Sequence, residues 1–417
     1  MQASATQEVS HRRARPAALE LIPPGIEDPG QGMTLDEISL TALANSPVIR
    51  EAQSRVVAAR GRAFQASRYP NPTFGTASPQ LAGDQTQYNA YVIQDLVTKG
   101  KIRLDTAAAD RAARQAELSL VRARFDMLTT VRQRFYIALA TQKRAAILEA
   151  MVKIARTSHD ISERLWKAEI GARNDVLLLQ IELSRSEAEL QNSRTLAETS
   201  RRQLAAAAGL FELPIARVSG DLTAALPDYE LLAVQQGVVE RNALVGRAQV
   251  AVARSQFVLR RAEVEPFPNF NVLGGYQNQQ PGALAPESQG LYQIQMVVPL
   301  WNRNQGNIRA AQAEISAAVA QLSQVRNDLA NDAAAALGRY LVARQLADRY
   351  EKEIVPSAVE LQKISAQMYQ EGQIEFLPYL AAQRALLDAN LSYIDAQQDR
   401  WTAAAEVAGL LQSEQFP

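Results

Sequence analysis

Apolar residues recur along this chain at two periods, and each period marks its own kind of element. Between Lys101 and Ile170 there is neither glycine nor proline, and Leu118, Val121, Phe125, Leu128, Val131, Phe135 and Leu139 keep near-heptad spacing. This predicts one helix over 101–170. At ~1.5 Å per residue it would span roughly 100 Å, far beyond the helices of a compact globule. Gly171 to Asn174 supply a turn, and a return helix is predicted over 175–208, stopped by Gly209. Upstream, Thr34 with Glu37 has the spacing of a capping box. It opens a helix over 35–68 that should break near Pro47 and end before Tyr69-Pro70-Asn71-Pro72. The second period is two. Tyr292, Ile294, Met296 and Val298 alternate with Gln293 and Gln295, and Phe270, Val272 and Tyr276 alternate with Asn269 and Asn271. One apolar and one polar face is the mark of a half-buried strand. Two strands are expected within 269–300, and a fainter pair within 73–95 around a turn at Gly83-Asp84.

The order of elements is written twice. Residues 46–74, SPVIREAQSRVVAARGRAFQASRYPNPTF, lie over residues 242–270, NALVGRAQVAVARSQFVLRRAEVEPFPNF, without a gap. Pro70 falls on Pro266, Pro72 on Pro268 and Phe74 on Phe270. A repeat on this scale decides the fold. The second copy is read as helix 229–264, the strands of 269–300, helix 307–370 with a kink or split at Pro356, a turn near Gly372, and helix 379–412. The expected organisation is therefore an extended Pro/Gly-rich arm over 1–32, repeat 1 over 33–211, a linker over 212–228, repeat 2 over 229–412 and a tail over 413–417. The fold class is mainly α with a small β part, in two structural repeats.

Composition narrows the functional classes. Lys+Arg and Asp+Glu are equal at 44 each, which argues against an electrostatic nucleic-acid binder. There is no cysteine, and only two histidines, His11 and His159, so no transition-metal site is expected. The loops Lys99-Gly100-Lys101 and Asn302-Arg303-Asn304-Gln305-Gly306 lack phosphate-loop spacing and read as strand-to-helix turns. No nucleophile–base or paired-acid constellation stands out, so no catalytic residue and no cofactor is expected. No apolar run is long enough for a transmembrane helix. The first residues are basic but lack the apolar core of a secretory leader, and the expectation is a leader upstream of Met1 or already removed.

Four strands cannot close a barrel, and open edges are not tolerated in lipid. If the strands cross a membrane, several chains must share one barrel, and three chains would give twelve strands. The competing expectation is a soluble helical scaffold or coiled-coil adaptor. It accounts for the neutral charge and the missing leader, but not for matched strand pairs in both copies.

At this point the residues carry a resemblance. MTLDEISLTALANSPVIREAQSRVVAARGRAFQASRYPNPTF resembles the first helix and barrel entry of the TolC-type outer-membrane efflux proteins. VVPLWNRNQGNIRAAQAEI resembles their return from barrel to long helix, closest to the branch serving heavy-metal exporters of the resistance-nodulation-division type. RLWKAEIGARNDVLLLQIELSRSEAEL and QMYQEGQIEFLPYLAAQRALLDANLSY resemble the two hairpin tips. The resemblance covers about residues 33–412. It implies a homotrimer with a twelve-stranded β-barrel in outer-membrane lipid and an α-helical barrel across the periplasm. It also implies a periplasmic adaptor and an inner-membrane pump as partners, export of small molecules or metal ions, and no catalysis.

The tips are the expected adaptor contacts: Arg164, Trp166, Glu169, Ile170, Gly171 and Asp175 in the first copy, and Met368, Tyr369, Gly372 and Ile374 in the second. The resemblance places a glycine where this chain has Glu169. It also places a pore-ringing aspartate where this chain has Pro378, so that ring is not carried over. Asp175 matches the family aspartate of the first copy. Glu371 and Glu375 are the candidates for a substitute acidic gate, which would favour cations at a constriction.

Overall fold

The computed structural model describes residues 32–80, 85–169, 172–210, 215–281, 287–371, 373–374 and 376–417. The expected arm (residues 1–31 of it) and the Gly83-Asp84 turn lie outside the described residues. So do Ile170, Gly171, Gly372 and Glu375. Along the chain run α1 Leu35–Asn45, α2 Pro47–Ala66, β1 Thr73–Gln80, β2 Gln85–Leu96, α3 Lys101–Lys167, α4 Arg173–Ala207, α5 Leu231–Arg241 and α6 Ala243–Val264. They are followed by β3 Phe270–Pro281, β4 Glu287–Met296, α7 Gln305–Arg349, a π-helical turn Tyr350–Ile354, α8 Val355–Gln370 and α9 Phe376–Leu410.

One helix departs from the sequence expectation, and another breaks where it was expected to. The helix read over 229–264 is split at Asn242, whose side chain caps α6 by accepting from Leu244 N–H at 2.9 Å. An Asn side chain competes for backbone donors, and so favours a cap over a helix interior. The helix read over 307–370 is interrupted beside Pro356, as expected, though by a wider turn and not a clean break: Val355 N–H reaches back to Tyr350 C=O, and the turn over Tyr350–Ile354 absorbs the proline's missing donor and bulky ring. Pro47 does open a new helix, since its absent N–H costs nothing in the first turn. The capping box of α1 is formed, with Glu37 N–H on Thr34 Oγ1 and Thr34 N–H on Glu37 Oε2.

The chain divides into two compact units. The strand-bearing unit takes residues 48–124 and 237–330. Its sheet is antiparallel throughout, in the order β1-β2-β3-β4. The register puts Phe74 beside Val92, Leu96 beside Phe270, and Phe270 beside Met296. Side chains opposite one another share a face. One face therefore collects Phe74, Tyr88, Val92, Leu96, Phe270, Val272, Tyr276, Tyr292, Ile294 and Met296. The other carries Asn89, Asp95, Asn271, Gln277, Gln289, Gln293 and Gln295, with Ile93, Leu273 and Leu291 among them. On the same face the Tyr91 ring lies over Gly75, while Tyr91 Cβ and Cα crowd Gly275. A Cβ on Gly75 would stand 2.7 Å from that ring, and one on Gly275 only 2.8 Å from Tyr91 Cβ.

The half-buried strands expected from the alternation are not half-buried within one chain. Tyr292 is 85% exposed and Phe74 72%, and β4 is open on both faces. Among the described residues no second layer covers the apolar side. β4 also stops at Met296, short of Val298, with Pro299 close behind.

The other unit takes the chain up to Pro47, residues 125–236, and residues 331–417. Its core is built on Trp401, Tyr340, Phe135 and Leu139, all buried. Tyr136 stacks on Trp401 with ring centroids 4.2 Å apart, while Trp401 Nε1 donates to Leu222 C=O at 2.7 Å. Segments between helices are thus held by core side chains. Gln142 brackets Val218 through both its N–H and its C=O, and Tyr340 Oη donates to Pro227 C=O. The C-terminal tail is held in the same way: Arg132 donates to Ser413 and Glu414 carbonyls, and Phe416 packs edge-on to Tyr136. Further along, Leu148, Val152, Leu190 and Leu391 join α3, α4 and α9, and Val355, Ala358 and Ala389 join α8 to α9.

Candidate functional site

The two helical hairpin tips bring together most of the described candidate residues. In the first, α3 finishes with Arg164 and Lys167 in its last turn, where cations complement the carbonyl end of a helix. Lys167 pairs with Glu163 at 2.9 Å and holds that carboxyl below its usual range. The chain then turns through Glu169, whose N–H bonds Trp166 C=O and whose φ is +62°. Glycine adopts this left-handed conformation freely, and a side chain resists it. That explains why the resemblance implies glycine where this chain carries Glu169.

Across the turn, α4 starts at Arg173 with no side-chain cap from Ala172, and Asp175 lies in its first turn, where a carboxylate meets free N–H groups. The Arg173 guanidinium lies 5.8 Å from the Trp166 ring centroid. Arg173 was not singled out from the sequence. Its spacing from Trp166 across a glycine turn was the available signal.

In the second tip, α8 runs to Gln370 and Glu371 caps it, with Glu371 N–H on Gln367 C=O. The Glu371 carboxylate is gripped from both sides: Gln367 Nε2 donates to Oε1 and Gln373 Nε2 to Oε2, each at 2.8 Å. Gln373 N–H closes the turn on Met368 C=O. Tyr369 stacks on Tyr379 of α9, centroids 5.1 Å apart and rings 5° from parallel. Gln383 donates to Tyr379 Oη at 2.6 Å, and burial pushes that phenol above its ordinary pKa. Tyr379 was also missed from the sequence, although it stands one residue after Pro378, at the start of a helix. Ile374 is half-buried in the turn. Glu375, the proposed companion of Glu371, lies outside the described residues.

Among the described residues no group of His, Cys, Asp or Glu is placed to hold a metal ion, and no helix is long and apolar enough to cross a membrane. His159 stands near Asp160 on α3, at 3.6 Å.

Helical hairpins with aromatic tips, and a four-stranded sheet whose apolar face is uncovered among the described residues, make up the fold. Known channels share the arrangement. The outer-membrane channel OprN superposes with a TM-score of 0.75 at 20% identity, over 91% of this chain and 89% of its own. The outer membrane protein VceC of Vibrio cholerae gives 0.74 at 17% identity, over 91% and 96%. Cobalt-zinc-cadmium resistance protein CzcC of Cupriavidus metallidurans is 22% identical over 380 residues, 91% of this chain and 90% of that protein. Residues 238–412 match the outer membrane efflux protein family, and the second repeat is a domain of that family. The TolC-type reading of the sequence therefore stands, and the soluble-scaffold alternative is not favoured. The family is one of transport channels rather than enzymes.

Proposed function

We propose that this chain is the outer-membrane exit duct of a tripartite efflux system, working as a homotrimer with a periplasmic adaptor and an inner-membrane pump. One observation carries the reading. The four-stranded sheet leaves its apolar face exposed and its edge strands β1 and β4 without a partner strand among the described residues. An apolar outer face with closed edges is what lipid demands of a β-structure. Copies of the chain joined β4 to β1 meet that demand, and three of them supply twelve strands. The hairpin tips then form the end that meets the adaptor. Trp166 with Arg173 and Tyr369 with Tyr379 are the rigid aromatic features there, and aromatic anchors dominate docking surfaces. The cargo is a metal ion or other small solute moving through water, by analogy with a relative named for cobalt, zinc and cadmium resistance. Selectivity resides in the pump.

The deciding measurement is the mass of the purified protein in detergent by light scattering, with the detergent contribution subtracted. Roughly three chain masses, with precipitation when detergent is withdrawn, is the expected result. A monodisperse monomer or dimer in plain buffer would overturn the reading.

A further inference from the structure

The strand register gathers one end of all four strands. The chain enters β1 and β3 and leaves β2 and β4 at the same end, where Leu96, Phe270 and Met296 stand side by side. Just past this end, four stretches of chain carry aromatic rings next to cations. Arg68 and Tyr69 precede β1, and the Arg68 guanidinium lies 3.8 Å from the Phe64 ring centroid. Lys99 follows β2, and its ammonium lies 4.5 Å from the ring centroid of Phe267, which precedes β3. Trp301 and Arg303 follow β4, and Trp301 is 87% exposed, the most exposed large apolar side chain among the described residues.

Arg68, Lys99, Arg103 and Arg303 are exposed, and none has an ion pair among the described residues. Their neighbours just inside are paired: Lys101 with Glu265, and Arg261 with both Asp105 and Glu265. The rim is also stiff. Lys101, only 4% exposed, ties Phe267 C=O at 2.7 Å and Asn269 Oδ1 at 3.1 Å. Thr98 Oγ1 donates to Pro268 C=O, and Tyr69 Oη accepts from Val97 N–H. An open cavity of about 550 Å³ lies beside Tyr69 and Arg103, within the size range of small-ligand sites.

We infer that this rim is a headgroup-binding surface that prefers net-anionic phospholipid over zwitterionic phospholipid. The inference rests on the reading of the sheet as membrane-facing. Where the apolar face ends, acyl chains give way to headgroups, and amphipathic rings such as Trp301 and Tyr69 favour that boundary. The unpaired cations next to them, carried on a backbone held by Lys101 and Thr98, gain from phosphate that no neighbouring lipid ammonium neutralises. A protein partner could use the same charges, but continuity with the apolar sheet face favours lipid.

The test incubates the full-length assembled protein in neutral detergent with equal phosphatidylglycerol and phosphatidylcholine, then measures the lipid retained after washing. Wild type should retain phosphatidylglycerol about tenfold over phosphatidylcholine, less at high salt. The Arg68→Gln/Lys99→Gln/Arg303→Gln variant should retain the two about equally, at unchanged assembly mass. If that variant fails to assemble, Arg303→Gln alone, on an exposed turn, should lower the preference by at least about twofold. Equal retention by wild type would overturn the inference, as would an undiminished preference in the variants. Displacement of the lipid by millimolar inorganic phosphate would also overturn it, because a free-anion site would then explain the binding. A protein that needs no detergent refutes the duct itself, whereas one that needs detergent but ignores lipid charge refutes only this inference.

Discussion

Arg384 of α9 forks onto the carboxylate of Glu182 of α4, Nε donating to Oε1 at 3.2 Å and Nη2 to Oε2. Glu182 is only 14% exposed, and the pairing raises the Arg384 pKa further. This bidentate pair fixes the second hairpin's return helix on the first hairpin's return helix, above both tips. Such geometry is the kind of ion pair that contributes measurably. A double-mutant cycle with Arg384→Ala and Glu182→Ala should give a coupling of about 0.5–1 kcal/mol in thermal unfolding. A coupling indistinguishable from zero would show that the two helices are held by packing alone.

The left-handed residue at the first tip makes a second prediction. Glu169→Gly should remove backbone strain and stabilise the turn by about 0.5 kcal/mol, the relief being partly offset by glycine's greater freedom when unfolded. Hydrogen exchange of the Ala168 and Glu169 amides should slow. Faster exchange in the variant would mean that the Glu169 side chain, and not the backbone angle, sets the local stability.

Acid sensitivity should reside partly at Glu117. Hydrogen bonds from Arg60 and then Arg114 hold its carboxyl below the usual range. A carboxyl depressed in the folded state contributes stability that is fully present above its unfolded pKa of about 4.3 and fades as pH falls through the lower folded value. Between pH 5 and pH 3, Glu117→Gln should therefore lose less stability than wild type, by under ~1 kcal/mol because Arg60 is solvated. Parallel pH–stability curves for the two proteins would remove Glu117 from the account.

For the proposed gate, reversing Glu371 and Glu375 to Lys should lower the cation-to-anion permeability ratio at least about twofold in planar-bilayer recordings. Assembly mass should stay unchanged. Because two glutamines already grip Glu371, the change also frees the turn, so a Gln/Gln variant separates charge from rigidity. An unchanged reversal potential in the Lys variant would dismiss the acidic gate.

Much of this architecture was readable because its signals are local. Pro47, the Thr34–Glu37 box and the glycine-free run after Lys101 are each explained by their own few residues. The break at Asn242 was harder, since asparagine alone rarely ends a helix. The repeat nonetheless held the clue: Asn242 falls on Ser46, the residue between α1 and α2. The sheet misled in a more instructive way. Alternation correctly sorts Tyr292 and Ile294 from Gln293 and Gln295, but it cannot say what covers the apolar side, and nothing among the described residues does. At the tips the expected turn glycines, Gly171 and Gly372, lie outside the described residues. Arg173 and Tyr379 were not legible in the sequence, because their partners Trp166 and Tyr369 meet them only once the hairpins close.

The sheet has an even number of strands, so β1 and β4 run in opposite directions. In the proposed ring of copies the seam is therefore antiparallel and heterologous, each copy offering a different edge to each neighbour. Every seam in a closed ring draws on two gene products. In a cell making equal amounts of sound chain and chain with a ruined β4, random mixing in a ring of three leaves only about one-eighth of rings wholly sound. Damage to that strand would thus behave genetically as a poison to its siblings, and not as a simple loss of one copy.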